Sequence, residues 1–291
     1  MLRPEPEIHG SLDELIYSVT SGALADAGLG IGDVSGVCMA SSDLNDGRAI
    51  STMTLTGSTG SFGRTEMRVC NDGLAAVWLG AAEIGAGEAD VLIVCAWNKF
   101  SDVVDPAAIP ALAMEPAMHR GLGYHPDAVL ALRRSQETGT VTLTEPSRIE
   151  PHDAAAAIVL VSPARTGSAR VCVVGTGAST GPYLRPGEPV MAPARAAAAA
   201  ACRVAGTESS ALAAVVVAGM HTIDDDELCA AFGVTLERLV RAPRRWADTG
   251  YATGLLGVDA ALDESEPGLR LVVSAGGIGM ENAHAVVLET R

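Results

Sequence analysis

Two patterns of apolar residues divide the chain: stretches where they recur at helical spacing, and short unbroken apolar runs. Residues 11–27 are of the first kind. Ser11 stands at the N-cap position, Glu14 completes a capping box three residues on, and Gly28 ends the helix. Residues 34–40 read as a strand, and the polar, Gly/Ser/Thr-rich stretch 43–65 as a loop. A short β-like run, 66–69, meets Cys70, and a small-residue helix begins at once over 73–85. Residues 90–97 (DVLIVCAW) form a continuous apolar run and predict a buried strand. The rhythm then breaks from 98 to 151, a segment interrupted by prolines, with one helix predicted around 127–134. It reads as an excursion from the core, to which 154–161 returns as a strand.

The second half repeats this order. Strands are predicted at 170–174, 213–218, 269–273 and 283–289, and helices at 193–204, 224–232 and 250–262. This internal duplication points to two similar halves, 1–165 and 166–291, packed as one unit, since no Ser/Gly- or Pro-rich linker separates them. The first half has no strand to match 170–174. Its opening, MLRPEPEIHG, carries prolines at 4 and 6, which remove ladder donors. If the opening strand sits in the middle of its sheet, its loss strands backbone groups at about 1–3 kcal/mol each. The expectation is then that the assigned start is too late, or that the strand comes from another chain or segment. The alternative is direct pairing of 34–40 with 90–97.

Composition narrows the class. The chain has 291 residues and only 3% aromatics, and its small residues suit closely packed α/β layers. A net charge of −15 argues against nucleic acid and anionic membranes as partners. No signal-peptide pattern and no apolar run of membrane-spanning length occurs. The six cysteines (38, 70, 95, 172, 202, 229) are scattered without a CxxC pair. That fits a reducing cytoplasm rather than a disulfide framework or a zinc site. No metal ligand set is expected, His119, His125 and His152 read as surface histidines, and Gly175-Thr176-Gly177 is too short a signal for a nucleotide loop.

The chemistry centres on Cys70. A cysteine at a strand-to-helix junction meets the helix dipole and unpaired N–H groups, which favour the nucleophilic thiolate. The same residue in an Ala-rich setting is also an ordinary small hydrophobe.

Six motifs, in order, resemble the thiolase superfamily, most closely its sterol-carrier-protein-x-type thiolases. SLDELIYSVTSGALADAGL resembles the first helix. RVCNDGLAAV stands where the nucleophile motif V-C-x-S-G belongs. GLGYHPDAVLALRR is similar to a shortened loop-domain helix, and PHDAAAAIVLVS to the strand that closes the first half. GYATGLLG resembles G-H-P-L-G-A-T-G, with Gly250, Gly254 and Gly257 in place. SAGGIGM resembles C-x-G-G-G-M-G. The resemblance implies an α/β fold, a five-layer αβαβα sandwich of two similar halves, usually dimeric through a first-half strand.

The resemblance also assigns roles. Cys70 holds acyl groups as thioesters, and Gly276 donates its N–H to an oxyanion beside that of Cys70. The G-H-P histidine is Tyr251 here, and the second cysteine is Ser274, whose hydroxyl is too weak an acid to replace a thiolate base. The H-D-x-F histidine falls on His221 only with a shift of one. A ketoacyl synthase III alignment pairs His221 and Tyr251, thirty residues apart, with that family's histidine and asparagine. The implied function is acyl transfer from acyl-CoA or acyl carrier protein through Cys70, assisted by His221 and Tyr251, in secondary or lipid metabolism, with no permanently bound cofactor. Two alternatives stay open: a catalytically degenerate partner of an active ketosynthase or thiolase, and a thiolase-like aldolase using Tyr251. The implied partners are a second copy or a related thiolase-like chain, and an OB-fold protein.

Overall fold

A computed structural model describes residues 1–48, 51–105, 109, 150–166, 170–181, 189–242, 247–263, 267–276 and 281–291. The predicted helix at 127–134, His119 and His125 lie outside them. Among the described residues the helices are α1 (Leu12–Asp26), α2 (Ser51–Thr59), α3 (Gly73–Ala86), α4 (Ala192–Ala205), α5 (Asp225–Phe232) and α6 (Thr253–Leu262). The strands are β1 (Gly36–Ala40), β2 (Thr65–Val69), β3 (Val91–Asn98), β4 (Glu150–Pro151), β5 (Ala154–Val161), β6 (Val171–Thr180), β7 (Ala214–Gly219), β8 (Leu239–Ala242), β9 (Ala247–Asp248), β10 (Gly268–Gly276) and β11 (Asn282–Thr290).

Two sheets carry the fold, in the orders β2-β1-β3-β5 and β6-β11-β10-β7-β8, and β4 pairs with β9. Alternation along each strand feeds two different layers. On β3, Ile93, Cys95 and Trp97 face an outer core with α1, while Val94 and Ala96 face a central core. On β10, Leu271 and Val273 face the other outer core with α4, and Val272 faces the centre. The central core takes Leu74 and Val77 from α3 and Leu255 and Val258 from α6. Helices, sheet, helices, sheet and helices therefore stack as five layers. Gly175 and Gly177 serve this packing. A Cβ on either would run into carbonyls of α4, so these glycines let that helix lie against β6.

The opening strand corrects an expectation. In the second half β6 is an edge strand, paired only with β11. The matching place in the first sheet is the outer edge of β5, so no central gap arises. β1 pairs directly with β3, from Gly36 opposite Leu92 to Ala40 opposite Ala96. The late-start expectation loses its ground with that pairing. Part of the edge is used by the N-terminal arm itself. Leu2 N–H donates to the Ala155 carbonyl at 3.1 Å, and Glu5 and Asp153 form an antiparallel bridge.

Other differences have local causes. The predicted loop 43–65 contains α2, whose Ser- and Thr-rich sequence has low helix propensity. Tertiary contacts override it: Leu55 is fully buried, and Thr20 Oγ1 of α1 donates to the Ser58 carbonyl at 2.9 Å. β8 is a four-residue strand too short to show a period, and β6 runs six residues past its predicted end. The Ser11–Glu14 capping box forms as expected, and Asp224 caps α5 by accepting from Glu227 N–H at 2.8 Å.

Candidate functional site

β2 delivers the chain to Cys70, which is exposed, and α3 starts three residues later. The helix begins at Gly73, where the sequence predicts it. The N-cap is Asp72, which is buried, and its Oδ1 accepts from Leu74 N–H at 2.7 Å. The same carboxylate reaches into the second half of the chain. Oδ1 accepts from Ser274 Oγ at 2.6 Å, and Oδ2 accepts from Gly254 N–H at 2.9 Å. A Cβ on Gly254 would land on that carboxylate, so glycine is required there. Burial pushes the Asp72 carboxyl up to about 6, against the pull of hydrogen bonds from Ser274, Leu74, Gly254 and Gly73.

Gly276 ends β10 beside the same turn: a Cβ there would lie 3.3 Å from Asn71 Oδ1. Asn71 Oδ1 also accepts from Asp72 N–H at 2.7 Å. Ser274, two residues earlier, is buried, with its hydroxyl committed to Asp72.

Tyr251 lies in a single turn of 3₁₀ helix, Gly250–Ala252, just before α6. That turn is pinned to the end of β3 and the start of β5. His152 N–H donates to the Asp248 carbonyl at 2.8 Å, and Asn98 Nδ2 donates to the His152 carbonyl at 2.7 Å. His152 is half-buried and takes part here through its backbone N–H and carbonyl. Burial pushes the Tyr251 phenol above its usual value. An interaction with Ser42 and the charge of Arg68 oppose this, while Cys70 and Asp46 add to it. The phenol is thus neutral near pH 7, a donor rather than a base. Arg68, two residues before Cys70, is held by Asp43 at 3.0 Å.

His221 sits in the turn after β7. Ala218 lies opposite Ser274 and Gly219 opposite Ala275, so the turn is at the same end of the sheet as Ser274 and Gly276. Met220, just before it, has φ 40°, in the left-handed region that non-glycine residues rarely adopt. Arg241 of β8 holds the turn: Nη2 donates to the Ile223 carbonyl at 2.6 Å and Nε meets Asp225 Oδ1 at 2.6 Å.

No family model and no curated protein matches the chain. Solved structures do. The 3-oxoacyl-[acyl-carrier-protein] synthase III of Aquifex aeolicus superposes with a TM-score of 0.65 at 13% identity, covering 97% of this chain and 85% of its own. A monomeric SCP2-thiolase-like protein type 1 from Mycobacterium smegmatis gives 0.66 at 17% identity, over 99% and 76%. The Acat5 thiolase of Ascaris suum, solved with coenzyme A, gives 0.67 at 12% identity, over 98% and 96%. The chain has the thiolase-superfamily fold.

On this thiolase fold, the sequence motifs single out Cys70, His221, Tyr251, Gly276 and Ser274 but not Asp72. The only sequence signal was the departure from V-C-x-S-G, where Asp72 replaces the motif's serine. The motifs do not single out Ser42 or Arg68 either. Among the described residues no group of His, Cys, Asp and Glu has the arrangement of a metal site.

Proposed function

We propose that the chain is a thiolase-like acyltransferase that takes an acyl group from acyl-CoA or acyl carrier protein onto Cys70 and passes it to an acceptor. The observation that carries this reading is the exposed Cys70 on a turn locked by Asp72 to Ser274 and Gly254, with Tyr251 close by. Backbone N–H groups at Gly276 and Cys70 would receive the thioester oxygen, and neutral Tyr251 is a further donor. His221 assists from the turn after β7. The acyl carrier is the substrate, and no resident cofactor is needed.

Claisen chemistry is disfavoured by the same geometry. Ser274 is buried and bonded to a carboxylate, and Tyr251 is a neutral phenol. These two features also favour the second reading, a degenerate partner of an active thiolase-fold enzyme. Intact-mass spectrometry after incubation with acetyl-CoA separates the two: an acetyl adduct supports transfer, and its absence supports the partner role.

Among the described residues no strand pairs with the outer edge of β2, and Phe62, just before it, is 80% exposed. That edge supports pairing with a second copy or a related chain, with light scattering at micromolar concentration expected to give a dimer. None of the described helices is long and apolar enough to cross a membrane. The scattered free cysteines support a reducing, cytoplasmic site of action.

A further inference from the structure

We propose that Ser274 and Asp72 form a proton relay for this site: the acceptor gives its proton to Ser274 Oγ as Ser274 gives its own to Asp72 Oδ1. The proposal rests on the acyl-transfer reading above.

Position supports it first. Asp72 is two residues after Cys70, and Ser274 is two residues before Gly276, so the pair spans the gap between nucleophile turn and oxyanion donor. The 2.6 Å bond is already aligned for the transfer, which needs no new proton seat on the carboxylate. Burial of both residues keeps bulk water from the pair, so the proton comes from a bound acceptor.

The chemistry balances. The acceptor's lone pair forms a bond to the acyl carbon, the bond from that carbon to Cys70 Sγ breaks, and Cys70 leaves as thiolate. The acceptor proton ends on Asp72 and returns to the Cys70 thiolate. A lone serine hydroxyl cannot hold that proton, but a carboxylate can. Its strength suits an acidic acceptor such as a thiol rather than a carbon acid.

The surroundings place the titration on Asp72. α3 offers the N–H groups of Gly73 and Leu74, and α6 offers Gly254 N–H. On β11, His284 lies directly opposite Ser274, on the central face shared with Val286 and Leu288. Burial lowers its imidazole to about 4, so it stays neutral where Asp72, at about 6, changes state.

The test uses acetyl-CoA as donor and pantetheine as acceptor thiol, following acetyl exchange and the Cys70 adduct by mass. Wild-type exchange should fall about tenfold per pH unit below about 6, and Ser274→Ala and Asp72→Asn should both keep forming the adduct but discharge it about 10²-fold or more slowly. The limb near pH 6 should vanish in Asp72→Asn. Ser274→Ala keeps the three N–H bonds to the carboxylate and serves alone if Asp72→Asn does not fold. Wild-type discharge rates in folded variants, with the adduct formed, overturn the relay alone. No adduct in the wild type overturns the acyl-transfer reading and the relay with it.

Discussion

Ser274 Oγ lies 2.6 Å from Asp72 Oδ1 across 202 positions of sequence, and this bond joins the nucleophile turn of one half to the last sheet of the other. Because Asp72 also takes Gly254 N–H, one buried carboxylate fixes where Cys70 stands relative to Gly276.

That carboxylate should leave a mark on stability. Its folded value of about 6 lies above the ordinary 3.8, so the folded chain binds more protons between these values. The contribution of this group is fully present below about 3.8 and is lost as pH rises through about 6, by about 3 kcal/mol in all. Urea denaturation at stepped pH should show this fall in the wild type. In Asp72→Asn the slope assigned to this group should be absent.

Gly254→Ala sets two effects against each other. Alanine gains about 1 kcal/mol of helix propensity. Its Cβ would collide with the Asp72 carboxylate and break bonds worth about 1–3 kcal/mol each when lost in the core. Loss should win, with Tm lowered. An unchanged or raised Tm would contradict the inter-half clamp.

The N-terminal arm is held by a second buried carboxylate. Asp153 Oδ2 meets Lys99 Nζ at 2.7 Å, with side chains 0% and 3% exposed, and accepts from Ile8 N–H at 2.9 Å. The Ser101 hydroxyl donates to it as well. Lys99→Met should strand that charge and cost about 3–5 kcal/mol. Hydrogen exchange at Leu2, Glu5 and Ile8 should rise. Unaltered protection there would show that the arm is held by something else.

Much of this was legible beforehand, and the gaps have physical reasons. The Ser11–Glu14 capping box and the DVLIVCAW strand are local signals, and both form as expected. α2 was not legible, because burial of Leu55 and a hydrogen bond from α1 stabilise a sequence that disfavours helix. The edge position of the opening strand depends on strand order, which no local pattern encodes. In the candidate site, Cys70 and Tyr251 stood out through motif position. Asp72 acts through partners at 254 and 274, and a linear reading sees only an N-cap.

Thiolytic cleavage of acetoacetyl-CoA should be very slow. Tyr251 and Ser274 stand where the resemblance places a histidine and a cysteine, and each lost group costs about a hundredfold or more. On the proposed acyl-transfer reading, Tyr251→Phe should lower acetyl transfer, while within the protein it gives up the phenol's interaction with Ser42. Thiolysis at rates usual for metabolic enzymes would count against this.

The most direct test of the acyl-transfer account is the mass of the protein after incubation with acetyl-CoA, followed by peptide mapping. The account predicts one acetyl group, on Cys70, absent in Cys70→Ala and removed by a thiol acceptor. An unmodified Cys70 in folded protein, or acetylation elsewhere with Cys70 free, would contradict it.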